Sequence, residues 1–519
     1  MAGRPRFPKM TRDRKQPKWL VGLALFALSF LYLYWVAGEV LRISGDEGIY
    51  LQGGRLVALG QQPYRDFFTI TGPLSFWIEG ILAFWSGMSL AVMRLPPVFD
   101  AAFVACAVYY LTSRYASVLY SAGTAIAFMA YQVRLRQLNV NHRWDSAALS
   151  MGAILLALRA QRTRSRWLWA GSGFLIVASS CATPSMLVVA IPLLFWCGRR
   201  DWRGTPALLG GGALAAAIAA AYLQAGHALL PMIQSMRWTS ANYTQANRVF
   251  YGGIFLGGPA VEAAGWLGMV AFGFSLLPAI FPPLAILGWV LHFRRKQNRA
   301  DSAEIVPLLA VAAALVLSTW PRWTADALLH TLALSWFLCA LLFYRLTVAW
   351  QRRWFCLVVL LAAFASLANK AMAAIEYEPR ETRVGRVRAP LDESEFLARL
   401  ENRIQPGDSL FSYPYLASMY YFLDARNPTY YPFMQPGMMT AGDERRVIGE
   451  LEASPPRWLI YENFPPETVL AFWPGSDTAR IAMAQVSAYL HAHYHPVDTV
   501  AGPWGQVAVM QNNSMVSVR

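Results

Sequence analysis

Two adjacent acids, Asp46 and Glu47, follow the first apolar run of the chain, in Ser44-Gly45-Asp46-Glu47-Gly48. An ionisable pair at a membrane boundary is costly to hold there and marks a functional site by default. A carboxylate at the water-facing edge of a membrane cavity can take a proton from an acceptor hydroxyl. The same residues suit a helix start, with Asp46 as N-cap and Glu47 as a first-turn acid favoured by the helix dipole. The two roles are compatible, because a cap fixes the carboxylate geometry that a base needs. Asp145, in Asn141-His142-Arg143-Trp144-Asp145, reads in two ways. It is the N-cap of the following span or a second acid on the same cavity. A lipid phosphate on that face needs cations. Arg65, Arg143, Arg237, Arg248 and Arg322 are the candidates, although each can instead snorkel or be solvated. His330 either donates to phosphate or is a buried, hydrogen-bonded structural histidine.

The elements that must position these residues are mostly apolar. Of 519 residues, 56% are hydrophobic and 14% charged. Runs of spanning length lie near 19–38, 95–113, 117–133, 146–160, 167–181, 184–197, 205–224, 264–291, 304–320, 326–344 and 354–373. The pattern predicts a polytopic α-helical membrane protein of about eleven transmembrane helices. The net charge of +15 suggests nucleic acid only until its distribution is read. Basic residues cluster at Arg4–Lys18, Arg114, Arg159–Arg166, Arg199–Arg203, Arg294–Arg299 and Arg345–Arg353. These alternate loops carry roughly 22 Lys and Arg against 4 acids, the positive-inside pattern rather than a nucleic-acid footprint. The N-terminus is then cytoplasmic, and Asp46, Glu47 and the C-terminal tail lie outside. The first apolar run is too long for a signal-peptide core and reads as an uncleaved anchor. All five cysteines fall in or beside spans, so no disulfide framework is expected in the tail.

Residues 39–94 form an unusually long first outer loop. It reads as two interfacial helices, Glu47–Leu59 stopped by Gly60, and a second begun at Pro73 and ended by Gly87. Phe76, Trp77, Ile81, Phe84 and Trp85 make the second aromatic, as suits the headgroup level. A further outer loop, 225–263, carries Arg237-Trp238, Asn242-Tyr243, Arg248, Gly252-Gly253 and Gly257-Gly258. From about Ile375 the composition turns polar. Helices at Leu391–Ile404, Leu416–Leu423 and Ala479–His491 alternate with strands at Ser409–Tyr413, Trp458–Tyr461 and Gln506–Met510. This divides the chain into a transmembrane part, 1–374, and a small exported α/β domain, 375–519.

There is no Walker A motif, dinucleotide fingerprint, Asp-x-Asp pair, zinc-type Cys/His spacing or Gly-x-Ser-x-Gly elbow. An activated group must come from elsewhere, and a membrane-embedded lipid donor fits. The run Gly45-Asp46-Glu47-Gly48-Ile49-Tyr50, Gly60-x-x-Pro63-Tyr64-x-Asp66, Gly72-Pro73-Leu74-x-Phe76-Trp77 and Gly87-x-Ser89-x-x-x-x-Arg94 resembles the GT-C membrane glycosyltransferases. Within them it is most similar to the protein O-mannosyltransferase and lipid A aminoarabinose transferase branch. The resemblance implies inverting transfer from a polyprenyl-phosphate sugar to a hydroxyl of a glycan, lipid or protein acceptor, at the outer face of a bacterial inner membrane. It implies Asp46 as the base, with Glu47 beside it and Asp145 as the second-loop acid. Arg322, Asp326 and His330 are similar to a late outer-loop pattern in some relatives. No cofactor is demanded, although a divalent metal is compatible. The chain has Thr71-Gly72-Pro73 where the aminoarabinose branch carries a lysine beside Pro-Pro, and it lacks the Trp-Trp-Asp of oligosaccharyltransferases. The competing class is a multi-span transporter or lipid-linked glycan flippase, which calls for repeat halves and interrupted helices with charges near mid-membrane.

Overall fold

A computed structural model describes residues 18–134, 138–253, 273–295, 299–502 and 505–515. The basic stretch before Lys18, Gly257-Gly258 and the first part of the 264–291 run lie outside the described residues. Helices occupy Lys18–Leu33, Leu95–Ser113, Val118–Arg134, His142–Thr163, Arg166–Ala182, Thr205–Ala225, Leu277–Arg295, Arg299–Leu317 and Ala349–Glu376, close to the apolar runs of the sequence. Two runs are broken. Pro184–Val189 is a 3-10 segment before the Ala190–Arg200 helix, and a short Ala325–Leu329 helix gives way at His330-Thr331 to Leu332–Leu346.

Five described helices are long and apolar enough to cross a membrane, and the molecule is a multi-pass membrane protein. Its outer surface agrees. Leu23, Leu31, Trp167, Leu361 and Phe364 are exposed, and the 28-residue Ala349–Glu376 helix buries only Ala363 and Ala374. Apolar surface on that scale belongs against lipid.

In the first outer loop, helices run Gly45–Ala58 and Leu74–Ser86. Pro73 precedes the second, and Gly87 closes it in the left-handed region, φ 63°. The polar C-terminal part holds a four-stranded mixed sheet in the order Leu410–Tyr413, Trp458–Glu462, Gly505–Asn512, Tyr494–Gly502. The first two are parallel and the rest antiparallel. A hairpin of Glu378–Thr382 and Gly385–Ala389, not foreseen from sequence, joins the last apolar helix to this sheet region.

The sheet region and the first loop share one apolar core. Leu41, Tyr50 and Phe76 from the loop cluster with Phe396, Leu410 and Tyr420. Arg55 ties them further, donating to the Ala425 carbonyl at 2.7 Å and pairing with Asp424 at 2.5 Å. The backbone N–H of Phe68 donates to the Tyr430 carbonyl at 2.8 Å. The C-terminal part thus covers the N-terminal end of the Gly45–Ala58 helix, where the acid pair sits.

Candidate active site

Ser44, extended, occupies the N-cap position of the Gly45–Ala58 helix, so Asp46 and Glu47 both fall in its first turn. The expected Asp46 cap is therefore replaced by a first-turn acid, still favoured by the helix dipole. Successive helical residues point roughly 100° apart, and here that rotation separates two fates. Asp46 is exposed and lines a cleft of about 510 Å³. Its Oδ1 accepts a hydrogen bond from the Tyr415 hydroxyl at 2.7 Å. Burial and the Asp46 carboxylate push the Tyr415 phenol well above its usual range, which keeps it a donor.

Glu47 turns inward and does not line the cleft. It is 1% exposed and meets Arg94, 2% exposed, through two bonds of 2.8 and 2.7 Å. Its Oε1 also accepts the Val140 N–H at 3.0 Å. Arg94 donates onward to the carbonyls of Ala37 and Val40. This buried pair joins the end of the first span, both ends of the first loop and the end of the second loop, just before the Asn141 cap. The flanking glycines have a packing cause. A Cβ at Gly45 would lie 2.2 Å from the Tyr415 ring, and one at Gly48 would lie 2.1 Å from the Ser418 nitrogen. Only glycine lets the 415–418 segment approach so closely.

The second outer loop contributes differently from the sequence expectation. Asn141, not Asp145, caps the His142–Thr163 helix, its side chain accepting the Arg143 N–H at 3.0 Å. Asn141, His142 and Arg143 line the cleft. His142 is held by Nδ1 against Thr183 Oγ1 at 2.6 Å and packs on Tyr50 with ring centroids 5.6 Å apart. Asp145 lies one turn deeper, buried, accepting from Ser75 and paired with Asp100. It is not among the cleft-lining residues, so the structure does not bring it to Asp46. The acid that does share the cleft is Asp326, in the first turn of the Ala325–Leu329 helix and within electrostatic reach of Arg322 and Arg143.

Of the candidate cations, Arg143 and Arg322 line the cleft. Arg322 Nη1 donates to Asn247 Oδ1 at 3.0 Å. Arg248 lies 5.8 Å from the Trp320 ring, outside the lining. Arg65 is also outside it, bound to Asp66 at 2.8 and 2.7 Å and to the Gly226 carbonyl at 2.8 Å. Arg237 sits in the last turn of the Leu229–Trp238 helix, again away from the lining. His330 is buried edge-on against Trp144, centroids 4.8 Å apart, and does not line the cleft. Among the described residues, no group of three or more His, Cys, Asp or Glu is placed to hold a metal.

Sequence reasoning missed the C-terminal contribution. Tyr415, Gln435, Phe464, Phe472 and Trp473 all line the cleft. Tyr415 is 369 residues from Asp46, and nothing local signals the contact. Residues 69–71 wall the cleft, while Gly72 and Pro73 wall an adjoining apolar groove of about 610 Å³. The groove runs between Arg166–Ala182 and Thr205–Ala225, past Ile176, Leu208, Ala216 and Leu223.

No protein-family model matches the chain, and no curated protein sequence does. Solved structures do resemble it. ArnT from Cupriavidus metallidurans in the apo state has a TM-score of 0.55 at 13% identity, over 96% of this chain and 98% of that one. ArnT bound to undecaprenyl phosphate gives 0.53 at 13%, over 95% and 98%. The archaeal oligosaccharyltransferase AglB from Archaeoglobus fulgidus, with an inhibitory peptide and a dolichol-phosphate, gives 0.51 at 12%, over 98% and 76%. The chain thus has the GT-C-like fold of the membrane glycosyltransferases, as its first-loop motifs implied.

Proposed function

We propose that the chain is a glycosyltransferase that moves a sugar from a polyprenyl-phosphate carrier to an acceptor hydroxyl at the outer face of a bacterial inner membrane. The observation that carries this reading is the junction at residues 69–73. There a cleft bearing the charged Asp46, Arg143 and Arg322 adjoins an apolar groove between helices. That pairing suits a ligand with an anionic head and a hydrocarbon tail. The likeness to ArnT bound to undecaprenyl phosphate supports the same choice of donor.

In this reading Asp46 takes the acceptor proton as the acceptor oxygen bonds to the anomeric carbon. The bond from that carbon to the phosphate oxygen breaks, and its electron pair leaves on the lipid phosphate. Arg322 and Arg143 stabilise the departing charge, and Asp326 holds the two guanidinium groups in place. A single displacement on a carbon of oxocarbenium character inverts the anomeric centre. Glu47 and Asp145 serve the architecture of the site.

The topology we assign has eleven spans, a cytoplasmic N-terminus and residues 375–519 outside. The test is turnover of polyprenyl-phosphate sugars of known anomeric configuration by the full chain in nanodiscs, with the product anomer read by NMR. Inverted product is expected. Retained configuration, or no turnover across donors that differ in sugar, overturns the reading.

A further inference from the structure

A second cavity, of about 360 Å³, lies beside the Asp46 cleft and has no part in the chemistry above. One wall is the helical segment around 241–246, and the other is the 475–480 stretch with Gly437 and Met438. We propose that it binds the distal sugar of an oligosaccharide acceptor whose reacting hydroxyl lies at Asp46. The proposal rests on the transfer reading only for the direction in which the glycan lies.

The polar lining selects the ligand class. Asn242 and Gln245 offer amides, Ser476 and Thr478 hydroxyls, Asp477 a carboxylate and Arg480 a guanidinium. Asp477 and Arg480 neutralise one another at 3.0 Å. An anion wants donors alone, and an apolar chain wants neither. A neutral array of mixed donors and acceptors matches hydroxyls, each of which gives one hydrogen bond and accepts others.

The cavity is also built rather than incidental. Asn242 is fixed at both ends of its amide, donating to the Trp238 carbonyl at 3.0 Å and accepting from Arg480 Nη1 at 3.2 Å. Ser476 is 8% exposed, and its Oγ has no hydrogen-bond partner among the described residues. A buried hydroxyl left unpaired is costly, and a ligand hydroxyl recovers that cost. Gly437, at φ 77°, leaves space for that serine, since a Cβ there would lie 2.5 Å from Ser476 Cβ.

Both walls continue into the Asp46 cleft. Tyr243 lines the cleft while Asn242 and Gln245 line the cavity, and Trp473 lines the cleft while Gly475 and Ser476 line the cavity. Two residues of extended chain span at most about 7 Å. The two walls meet where the Gly475 N–H donates to the Ala246 carbonyl at 3.1 Å, so a glycan that occupies both compartments lies over this seam rather than through it.

The test measures free-glycan binding, which involves no transfer. Mannotriose, chitotriose and their monosaccharides are presented to the full chain in nanodiscs and followed by saturation-transfer NMR. The wild type and Asp46→Asn are expected to bind at least one trisaccharide more tightly than its monosaccharide, with saturation of its distal residue. Ala241→Trp, which fills the cavity from an exposed position, is expected to weaken that binding about tenfold or more. Asn242→Ala, a milder change, should weaken it less at an unchanged melting temperature. Failure of every trisaccharide to outbind its monosaccharide, or binding that Ala241→Trp leaves intact, overturns the proposal. Trisaccharide binding retained in Asp46→Asn without transfer supports both readings. Binding without turnover in the wild type removes the transfer reading alone.

Discussion

Replacing Glu47 by glutamine separates the two neighbouring acids. The wild-type carboxylate takes two bonds from Arg94 and one from the Val140 N–H, all in a site 1–2% exposed. Removing one partner of a buried pair leaves an uncompensated charge and costs about 3–5 kcal/mol. Glutamine keeps one acceptor oxygen but turns an amide NH₂ toward the Arg94 donors. Arg94 retains the Ala37 and Val40 carbonyls, so the expected loss lies near the lower bound, about 3 kcal/mol. Equilibrium unfolding in bicelles measures this, alongside transfer per folded molecule. The double replacement Glu47→Leu with Arg94→Met should cost less than Glu47→Gln alone, because no charge is stranded. A Glu47→Gln protein as stable as wild type but inactive refutes the structural role and returns Glu47 to the chemistry.

Three further outcomes follow from the geometry. Tyr415→Phe deletes one hydrogen bond to a carboxylate, worth about 1.5–3 kcal/mol. If that bond orients Asp46 in the transition state, kcat falls roughly ten- to a hundredfold with little change in donor KM; an unchanged kcat refutes it. Ala216→Trp fills the apolar groove from an exposed face and should raise the KM for the lipid donor while stability holds. An unaltered KM places the tail elsewhere. Burial pushes the Glu462 carboxyl up to about 8, and neither of its oxygens has a hydrogen-bond partner among the described residues. Between its ordinary value near 4.5 and 8 the folded chain holds a proton that the unfolded chain has lost, so stability falls as pH rises. Glu462→Gln should flatten that fall when unfolding is followed from pH 4.5 to 8, and an unchanged slope counts against the buried-acid account.

The helices of the membrane part were legible because apolar runs of spanning length carry their own signal. The Leu74–Ser86 helix was equally legible, since Pro73 and Gly87 punctuate it locally. The division of labour within Asp46-Glu47 was not. Adjacent helical positions differ only in what packs against them, and Arg94 and Tyr415 come from 47 and 369 residues away. Gly45 and Gly48 held the nearest hint, because paired glycines on a helix start suggest a close backbone approach. Asn141 took the cap expected of Asp145 because its side chain lies two residues before the N–H it accepts, the ordinary Asx reach. The Glu378–Ala389 hairpin was missed because its first strand, Glu378–Thr382, has no apolar face, and the second alternates only over Val387 and Ala389. They are pinned instead by the first loop, where Leu41 and Arg388 exchange backbone bonds with Arg388 and Glu39 at 2.8 Å each.

The central claim is that Asp46 accepts the proton of the acceptor. Single-turnover transfer from a labelled polyprenyl-phosphate sugar, compared between wild type and Asp46→Asn in nanodiscs, tests it most directly. Asparagine keeps the shape and can still accept from Tyr415, so the variant should fold, insert and bind donor as the wild type does while transfer is lost. Transfer by Asp46→Asn at a rate near the wild type's would contradict the account.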